Sequence, residues 1–231
     1  TGYTFLGWFT ERYAGDKIES TTLVTNFRNH TIYAHWQVNG YTLTYNSNGG
    51  STCNPASKTV NYNAKYGTLC TPSRTGYKFL GWFTAASGGT AVTKDTTMGA
   101  GNQTIYAHWQ VYKCTVNYNA NDGTFNTTTA IVQNFNYGEK TDNMRNAKGG
   151  TYNATRTGYT PISQSEWIRI GDNVTFDQSK GYNATDFCPN LGNGDQTVTL
   201  KVNWRLNVCT VNYNENGGIF NTTTATVQNF N

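Results

Sequence analysis

Short stretches in which apolar and polar residues alternate recur along the chain, and each predicts a half-buried β-strand. Residues 41–45 alternate with period two. Residues 46–50 follow as a turn-forming run, because Asn-Gly accepts the positive φ that hairpin turns require. Residues 58–62 predict the returning strand of this hairpin. Two denser apolar stretches, 77–83 and 103–109, predict a core strand and a final strand.

Between these last two strands, residues 85–101 leave room for a short helix or an irregular crossover. The glycine inside the core strand, Gly81, predicts a close approach by another backbone or ring. On the final strand, alternation places Trp109 toward the core. The same alternation places Tyr106, and the equivalent Tyr33, on the opposite face. These two tyrosines are therefore candidates for an exposed contact surface.

These elements occur more than once, because whole phrases of the sequence are repeated. Thr-Gly-Tyr-x-Phe-Leu-Gly-Trp-Phe-Thr opens at residues 1 and 75, Thr-Ile-Tyr-Ala-His-Trp-Gln-Val opens at 31 and 104, and a strand ending in an Asn-rich turn opens at 42, 115 and 210. Repeats of this length indicate an array of modules, each one supersecondary unit.

The repeats divide the chain into four segments. They are the C-terminal half of a module at 1–37, a complete module at 38–110, a complete and longer module with insertions at 111–205, and the N-terminal half of a further module at 206–231. In the longer module the Phe-Leu-Gly-Trp phrase is replaced, and we expect Trp167 to stand in for Trp82.

Both ends of the chain fall inside a module, which leaves two hypotheses. The chain is an excerpt from a longer array, or its two half-modules complete each other between molecules by strand addition and form a head-to-tail filament.

The composition favours strands and tight turns over helices, since only 13% of residues are charged and Asn, Thr, Gly and Tyr are abundant. We therefore predict a mainly β chain with little helix, built of modules too small to be very stable alone. The net charge of +4 is spread without a basic run, which argues against nucleic acid as a partner. The sequence also predicts no membrane span in this segment.

Five cysteines fit the repeat frame. Cys53 and Cys70 lie in one module and Cys114 and Cys188 in the next, so we predict two disulfides. Cys209 repeats Cys114, and its partner is expected outside the chain. Free thiols in a reducing compartment remain the alternative. A metal site is disfavoured, because the cysteines form neither a CxxC pair nor a cluster with histidine.

The aromatic residues of the strands admit two interpretations. Flat rings on a sheet could stack on sugars, but their alternation favours burial. The residues predicted to form the core are Tyr3, Phe5, Trp8, Trp36, Tyr77, Phe79, Trp82, Trp109, Trp167 and Trp204.

No constellation predicts catalysis, a metal or a cofactor. His35 and His108 occupy the same repeat position without convergent partners, so a structural or surface role is expected. The acidic residues form no pair that recurs between modules, as a glycosidase would require. Gly-Gly steps such as 49–50 lack the Lys-Ser/Thr of a phosphate loop. We predict that the chain is not an enzyme.

Seven Asn-x-Ser/Thr sequons mark candidate glycosylation sites: Asn29, Asn102, Asn126, Asn153, Asn173, Asn183 and Asn221. The abundance of Asn, Ser and Thr alone predicts about six, so their number carries no evidence, and glycans are expected only after secretion from a eukaryote or archaeon.

The order of motifs resembles the Listeria–Bacteroides repeat, the internalin-type B repeat of secreted and cell-surface proteins. Its pattern is a strand ending in Asn-Gly-Gly, then Arg-x-Gly-Tyr-x-Phe-x-Gly-Trp, then a closing aromatic strand. Residues 48–50, 74–82 and 105–109 carry the pattern, while module 111–205 departs from it in the middle. The resemblance implies a tandem array of small β-grasp-like modules with a spacer or adhesive role and no catalytic residue.

The leading hypothesis is a structural segment of an extracellular or cell-surface repeat protein, used as a stalk, surface fibre or adhesin. Its partners would be adjacent repeats of the same chain or other copies. The alternative is a binding module that takes a host protein or glycan through loops 139–153 and 163–195 of the longer module.

Overall fold

The computed structural model describes residues 1–25, 28–125, 132–141, 154–161, 166–177, 180–212 and 227–230. The chain forms two compact units, residues 1–110 and 111–231. Strands account for most of the regular structure, which confirms the predicted mainly β class. The β-grasp assignment and the four-segment division stay predictions.

The first unit contains two sheets. Strands β1 (Tyr3–Phe9), β2 (Lys17–Ile18) and β3 (Tyr33–Val38) form a three-stranded sheet in the order β2-β1-β3. Strands β4 (Gly40–Asn46), β5 (Ser57–Asn61), β6 (Tyr77–Phe83), β7 (Ala91–Val92) and β8 (Gln103–Val111) form a five-stranded sheet in the order β5-β4-β8-β6-β7.

The hairpin and both apolar strands of module 38–110 lie where the alternation predicts them. β4 and β5 pair antiparallel, with Thr42 opposite Thr59. The first strand, β4, also pairs with the last strand, β8, and this pairing is parallel, with Leu43 beside Gln103 and Asn46 beside Tyr106. The two ends of the module therefore meet at the centre of the sheet.

The core of this module lies on one face of that sheet. Leu43, Trp82, Met98 and Ile105 are almost completely buried, whereas Tyr106 is half-buried on the alternate position. The stretch 85–101 contains β7 and turns and forms no helix.

The role expected for Gly81 was wrong. A Cβ at this position would meet only Phe83, at 3.9 Å, so no backbone or ring approaches closely. The residue instead adopts φ of 127°, as the equivalent Gly7 does at 133°. The β1–β3 register shifts between Phe5 and Gly7, so Gly7 lies in a β-bulge. At both glycines a side chain at positive φ would be strained.

The second unit has more and shorter strands. They are β9 (Lys113–Asn119), β10 (Thr124–Phe125), β11 (Val132–Asn136), β12 (Lys140–Thr141), β13 (Ala154–Thr155), β14 (Tyr159–Pro161), β15 (Glu166–Arg169), β16 (Thr175–Asp177), β17 (Tyr182–Asn183), β18 (Gln196–Val202), β19 (Trp204–Leu206), β20 (Cys209–Asn212) and β21 (Val227–Phe230). One turn of α-helix, α1 (Ala184–Phe187), precedes a 3-10 turn at Leu191–Asn193. No helix of the described residues has the length and apolar character to cross a membrane.

The main sheet of this unit repeats the arrangement of module 38–110. Its order is β11-β9-β18-β15-β16. The first strand β9 pairs parallel with β18, from Cys114 beside Gln196 to Asn119 beside Lys201. In the regular module one strand, β6, follows the crossover. Here the corresponding region contains β14, which pairs with β19, and β15, which pairs with β18.

Helix α1 closes the core of the second unit through aromatic contacts. The Phe187 ring lies 5.4 Å from that of Phe135 and 5.0 Å from that of Phe176, measured between centroids. Ala184 and Phe187 are fully buried. Because Asp186 accepts a hydrogen bond from the Asn183 amide at 2.6 Å, the start of the turn is capped.

A buried arginine holds the end of this helix. Arg169 is 8% exposed, and its Nη1 donates to the carbonyl oxygens of Asp186, at 2.7 Å, and Phe187, at 2.6 Å. Its Nε donates to the Asp172 carboxylate at 2.9 Å, and this hydrogen bond lowers the pKa of Asp172 below its ordinary value. The guanidinium also lies 5.5 Å from the centre of the Phe176 ring.

Replacing Arg169 by methionine keeps much of its volume but removes the donors. We expect Arg169→Met to lower the free energy of unfolding by about 2–4 kcal/mol, because the buried Phe187 and the partly buried Asp186 carbonyl oxygens lose their partner at about 1–3 kcal/mol each. Urea unfolding of the disulfide-intact chain, followed by tryptophan fluorescence, measures the change.

The matched control is Asp172→Asn, which leaves the bonds from Arg169 to the helix in place. The Asp172 side chain is 48% exposed. Its loss is expected to destabilise the protein much less than the loss of Arg169, because an exposed ion pair is screened by solvent. Equal destabilisation by the two variants would contradict the role given to Arg169.

Candidate functional site: the closure of each module

The described residues contain no group of three His, Cys, Asp or Glu side chains that could hold a metal ion. Burial raises the pKa of Tyr45 and Tyr66, both of which belong to the core. Hydrogen bonds from Lys94 and Lys65 lower the pKa of Asp95 on the surface. The arrangement that recurs in this chain is structural, and it joins the beginning of each module to its end.

In module 38–110, the tryptophan of the last strand lies on the turn that follows the first strand. The indole N–H of Trp109 donates to the Ser47 carbonyl oxygen at 3.0 Å. A Cβ added to Gly50 would lie 2.3 Å from the Trp109 ring, closer than real Cβ atoms approach. The second glycine of Asn-Gly-Gly is therefore required as a seat for the indole.

Module 111–205 contains the same contact. The Trp204 indole donates to the Ala120 carbonyl oxygen at 2.9 Å. A Cβ on Gly123 would lie 2.7 Å from the Trp204 ring and 2.7 Å from the Thr155 carbonyl oxygen. Both complete modules thus bind the last strand to the first turn in one way.

The asparagine of the turn makes a second bond to the last strand. Asn48 and Asn121 adopt φ of 47° and 50°, a region that asparagine tolerates better than most residues. The Nδ2 of Asn48 donates to the Ala107 carbonyl oxygen at 3.0 Å, and that of Asn121 donates to the Val202 carbonyl oxygen at 3.0 Å. We call this asparagine, the glycine seat and the indole together the closure.

The arginine of Arg-x-Gly-Tyr lies beside the closure and stacks on the tyrosine of the same motif. The guanidinium carbon of Arg74 lies 3.8 Å from the centre of the Tyr77 ring, and that of Arg156 lies 3.9 Å from the centre of the Tyr159 ring. Arg156 also pairs with Asp122 of the turn at 3.6 Å. These contacts hold the crossover against the turn.

The middle tryptophan of module 38–110 is tied to a disulfide. Trp82 is 3% exposed, and its indole donates to the Cys70 carbonyl oxygen at 2.7 Å. Cys70 is bonded to Cys53, with Cα atoms 5.9 Å apart. The Tyr45 ring lies 5.2 Å from Trp82. The first strand, the crossover and the core strand thus meet at one indole.

In the longer module Trp167 occupies the same place, 1% exposed and 5.0 Å from the Tyr118 ring. Its disulfide is positioned differently, since it joins Cys114 of the first strand to Cys188 at the end of α1. The structure contains both expected pairings. Cys209 is exposed and carries a free thiol.

The remaining predicted core aromatics fall into two groups. Tyr77, Phe79, Trp109 and Trp204 are half-buried. The prediction of burial was wrong for the four in segment 1–37, because the exposed fractions are 48% for Tyr3, 45% for Phe5, 47% for Trp8 and 58% for Trp36. Residues 40–67, which cover the same face in module 38–110, have no counterpart within 1–37.

Aliphatic residues of this half-module are uncovered for the same reason. Ile32 is 39% exposed, whereas the equivalent Ile105 is 1% exposed. Val24 and Met98 occupy equivalent positions, each two residues after the threonine that caps a turn. Val24 is 68% exposed, whereas Met98 is 1% exposed. An open groove of about 430 Å³ runs beside these side chains.

The two repeat histidines make matching structural contacts. The Nε2 of each lies 2.9 Å from a backbone carbonyl oxygen of the loop that follows β1 or β6. His35 stacks on Phe9 at 4.0 Å and His108 on Phe83 at 3.8 Å, between ring centroids.

Four of the predicted sequon asparagines lie in the described part of the chain, and all four are exposed: Asn29, Asn102, Asn173 and Asn183. Asn102 accepts a hydrogen bond from the Thr42 amide at 2.9 Å. The other three, Asn126, Asn153 and Asn221, lie outside the described residues, as does most of loop 139–153.

In each of two stretches, residues 40–111 and 113–202, the first strand of the main sheet lies parallel to one of its last strands. Residues 1–35 and 41–108 match the family model of the Listeria-Bacteroides repeat domain. This match supports the resemblance of the first unit to the Listeria–Bacteroides repeat family.

Curated relatives extend the similarity to most of the chain. A Gly-rich membrane protein of Evansella cellulosilytica is 30% identical over 220 residues, which are 94% of this chain and 22% of the relative. Internalin H of Listeria monocytogenes is 34% identical over 129 residues, 55% of this chain and 22% of the relative. A second Evansella membrane protein is 26% identical over 207 residues, 89% of this chain and 28% of the relative. The chain thus spans about a quarter of the length of these relatives, and no solved structure matches it significantly.

Adding a single methyl group to the glycine seat tests the closure. We expect Gly123→Ala to lower the free energy of unfolding by about 1–3 kcal/mol, because the Trp204 ring or the Thr155 backbone must move. Gly50→Ala should act similarly in the other unit. Urea unfolding followed by tryptophan fluorescence is the measurement.

Gly194→Ala is the matched control in the same unit. Gly194 has an extended φ of 169° and no atom within 4 Å of an added Cβ. Its unfolding curve should coincide with that of the unmodified protein. If Gly123→Ala also left the curve unchanged, the glycine seat would have no role in stability.

Proposed function

We propose that this chain is a structural segment of an extracellular or cell-surface tandem-repeat protein, used as a stalk, surface fibre or adhesin and without catalytic activity. The match of residues 1–35 and 41–108 to the Listeria-Bacteroides repeat domain supports this role. So do the names of the relatives, an internalin and two membrane proteins. Two disulfides fit an oxidising location.

The finer proposal concerns assembly, and the uncovered half-module carries it. In module 38–110 the first half covers the second: Tyr45 packs on Trp82, and Met98 exchanges backbone hydrogen bonds with Asn63 and Ala64 at 2.9 and 2.8 Å. The equivalent side chains of 1–37, Trp8 and Val24, are 47% and 68% exposed. Contiguous exposed apolar surface of this kind marks a site for another chain segment.

A first half of a module that could cover this face lies at the other end of the chain, in strands β20 and β21. Strands β20 and β21 pair with Cys209 opposite Phe230 and Val211 opposite Gln228. This is the register of β9 and β11, where Cys114 lies opposite Phe135. The described strands of 206–231 therefore pair in the manner of the first two strands of a complete module.

We infer that the hairpin 206–231 of one copy adds to β3 of a second copy and completes its half-module. The incoming strand would lie parallel to β3, as β4 lies parallel to β8. Repetition of this contact in one direction gives a head-to-tail filament, because the two surfaces differ and the contact is not self-closing.

Sedimentation velocity over a concentration series tests the assembly. The chain, with Cys209 alkylated so that thiol oxidation plays no part, is expected to form species larger than 25.6 kDa. Trp8→Asp should abolish them, because a carboxylate would then be buried in the new core.

Leu6→Asp is the control on the same strand. Leu6 is 42% exposed, and its counterpart Leu80 stays 51% exposed even in the complete module, so this position is not covered on completion. The variant should assemble like the unmodified chain. A monomer at every concentration, or equal loss in both variants, would refute assembly through the half-module.

The surface location has its own test. Antibodies raised against residues 38–110 should label intact cells of the source organism, and brief external protease treatment should remove the signal. Labelling that requires permeabilised cells would contradict the location without bearing on assembly.

The second candidate function, binding of a host protein or glycan through loops 139–153 and 163–195, stays a prediction. A glycan-array or pull-down signal that survives deletion of both loops would exclude them as the site.

A further inference from the structure

The first and last strands of each complete module are parallel neighbours, and this decides how tension reaches the core. In module 38–110 the chain enters at Gly40, the start of β4, and leaves at Val111, the end of β8. Because the strands are parallel, these two points lie at opposite ends of the pair. Tension along the chain therefore pulls the two strands past each other along their own axes.

Such shear stresses all the contacts of the pair at once. Four residue pairs join β4 to β8, from Leu43 with Gln103 to Asn46 with Tyr106, and six join β9 to β18. A pair pulled apart from one end would break these contacts singly. Shared stress on several hydrogen bonds raises the barrier to forced unfolding, and that barrier sets resistance to force.

The closure adds to the same resistance. Asn48 and the Trp109–Ser47 bond connect the far end of the first strand to the last strand. Asn121 and the Trp204–Ala120 bond do so in the longer module. Sliding of the strands must break these bonds and withdraw the indole from its glycine seat.

The half-module offers the opposite geometry in the same chain. Tyr3 lies opposite Val38 in the antiparallel pair of β1 and β3. The chain thus enters and leaves this sheet at one end, and tension opens it one pair at a time.

We propose that each complete module is a shear clamp that lets the protein transmit force, and that the two disulfides set how far each clamp extends after it yields. The proposal rests on the structural role given above and adds a mechanical activity to it.

The two disulfides limit extension to different degrees. Gly40 and Val111 are 71 residues apart, and the Cys53–Cys70 bond encloses 17 of these, leaving about 54 to extend, or about 190 Å at 3.6 Å per residue. Lys113 and Leu206, the end of the strand that carries Trp204, are 93 residues apart, and the Cys114–Cys188 bond encloses 74, leaving about 19, or about 70 Å. The longer module is therefore the less extensible one.

Single-molecule force spectroscopy of the 231-residue chain, with handles at its two ends, tests both parts of the proposal. Two high-force events are expected, with contour gains of about 160 and 30 Å, because the folded strands already span about 35 Å of each released length. After reduction of the disulfides, the gains should become about 220 and 300 Å. Unchanged gains on reduction, or a high-force event from 1–37 alone, would overturn the proposal.

The control applies force to the same core in another direction. A handle at Ala100, which is exposed and precedes β8, pulls the starts of β4 and β8 apart from one end. The rupture force of module 38–110 should fall, by up to about fourfold, since single pairs then bear the stress in turn. Equal forces in the two directions would refute the shear clamp, and surface labelling of cells would be unaffected by that result.

Discussion

Each complete module depends on bringing its first strand beside its last, because neither half encloses a core alone. The parallel pair places Leu43 and Ile105 on one buried face, and Trp82 packs beneath them. Closing a loop of some 60 residues has an entropic cost that the contact at its ends must offset. The closure supplies part of this stabilisation, since Trp109 both buries its ring and satisfies the Ser47 carbonyl.

This dependence explains why the same repeated sequence is exposed in one part of the chain and buried in another. Residues 3–9 and 77–83 differ only at Thr4 and Lys78, yet Trp8 is 47% exposed and Trp82 is 3% exposed. Local sequence makes both segments strands with a glycine at positive φ, Gly7 or Gly81. Burial differs because Tyr45 of the first half of the module packs on Trp82, whereas Trp8 stays exposed.

The strands, the hairpin and the cysteine pairs were predictable, because alternation, turn chemistry and repeat spacing are local or periodic signals. The parallel pairing was not predictable, since Leu43 and Gln103 are joined by nothing in the local pattern. Gly81 was misjudged because a strand glycine needed for a positive φ and one needed for a close neighbour look the same in the sequence. The structural role of Arg169 was missed because the sequence around a single arginine does not show which distant carbonyl groups it binds, here those of Asp186 and Phe187.

Hydrogen exchange measured by mass spectrometry shows whether closure of a module protects its strands, because the chain contains its own comparison. Peptides covering 3–9 and 77–83 have nearly the same intrinsic exchange rates, as their sequences differ at one position. Amides of 77–83 are expected to exchange more slowly than those of 3–9 by about tenfold or more, since only the former are held by a closed core. Equal protection of the two segments would mean that pairing of the first strand with the last does not stabilise the module.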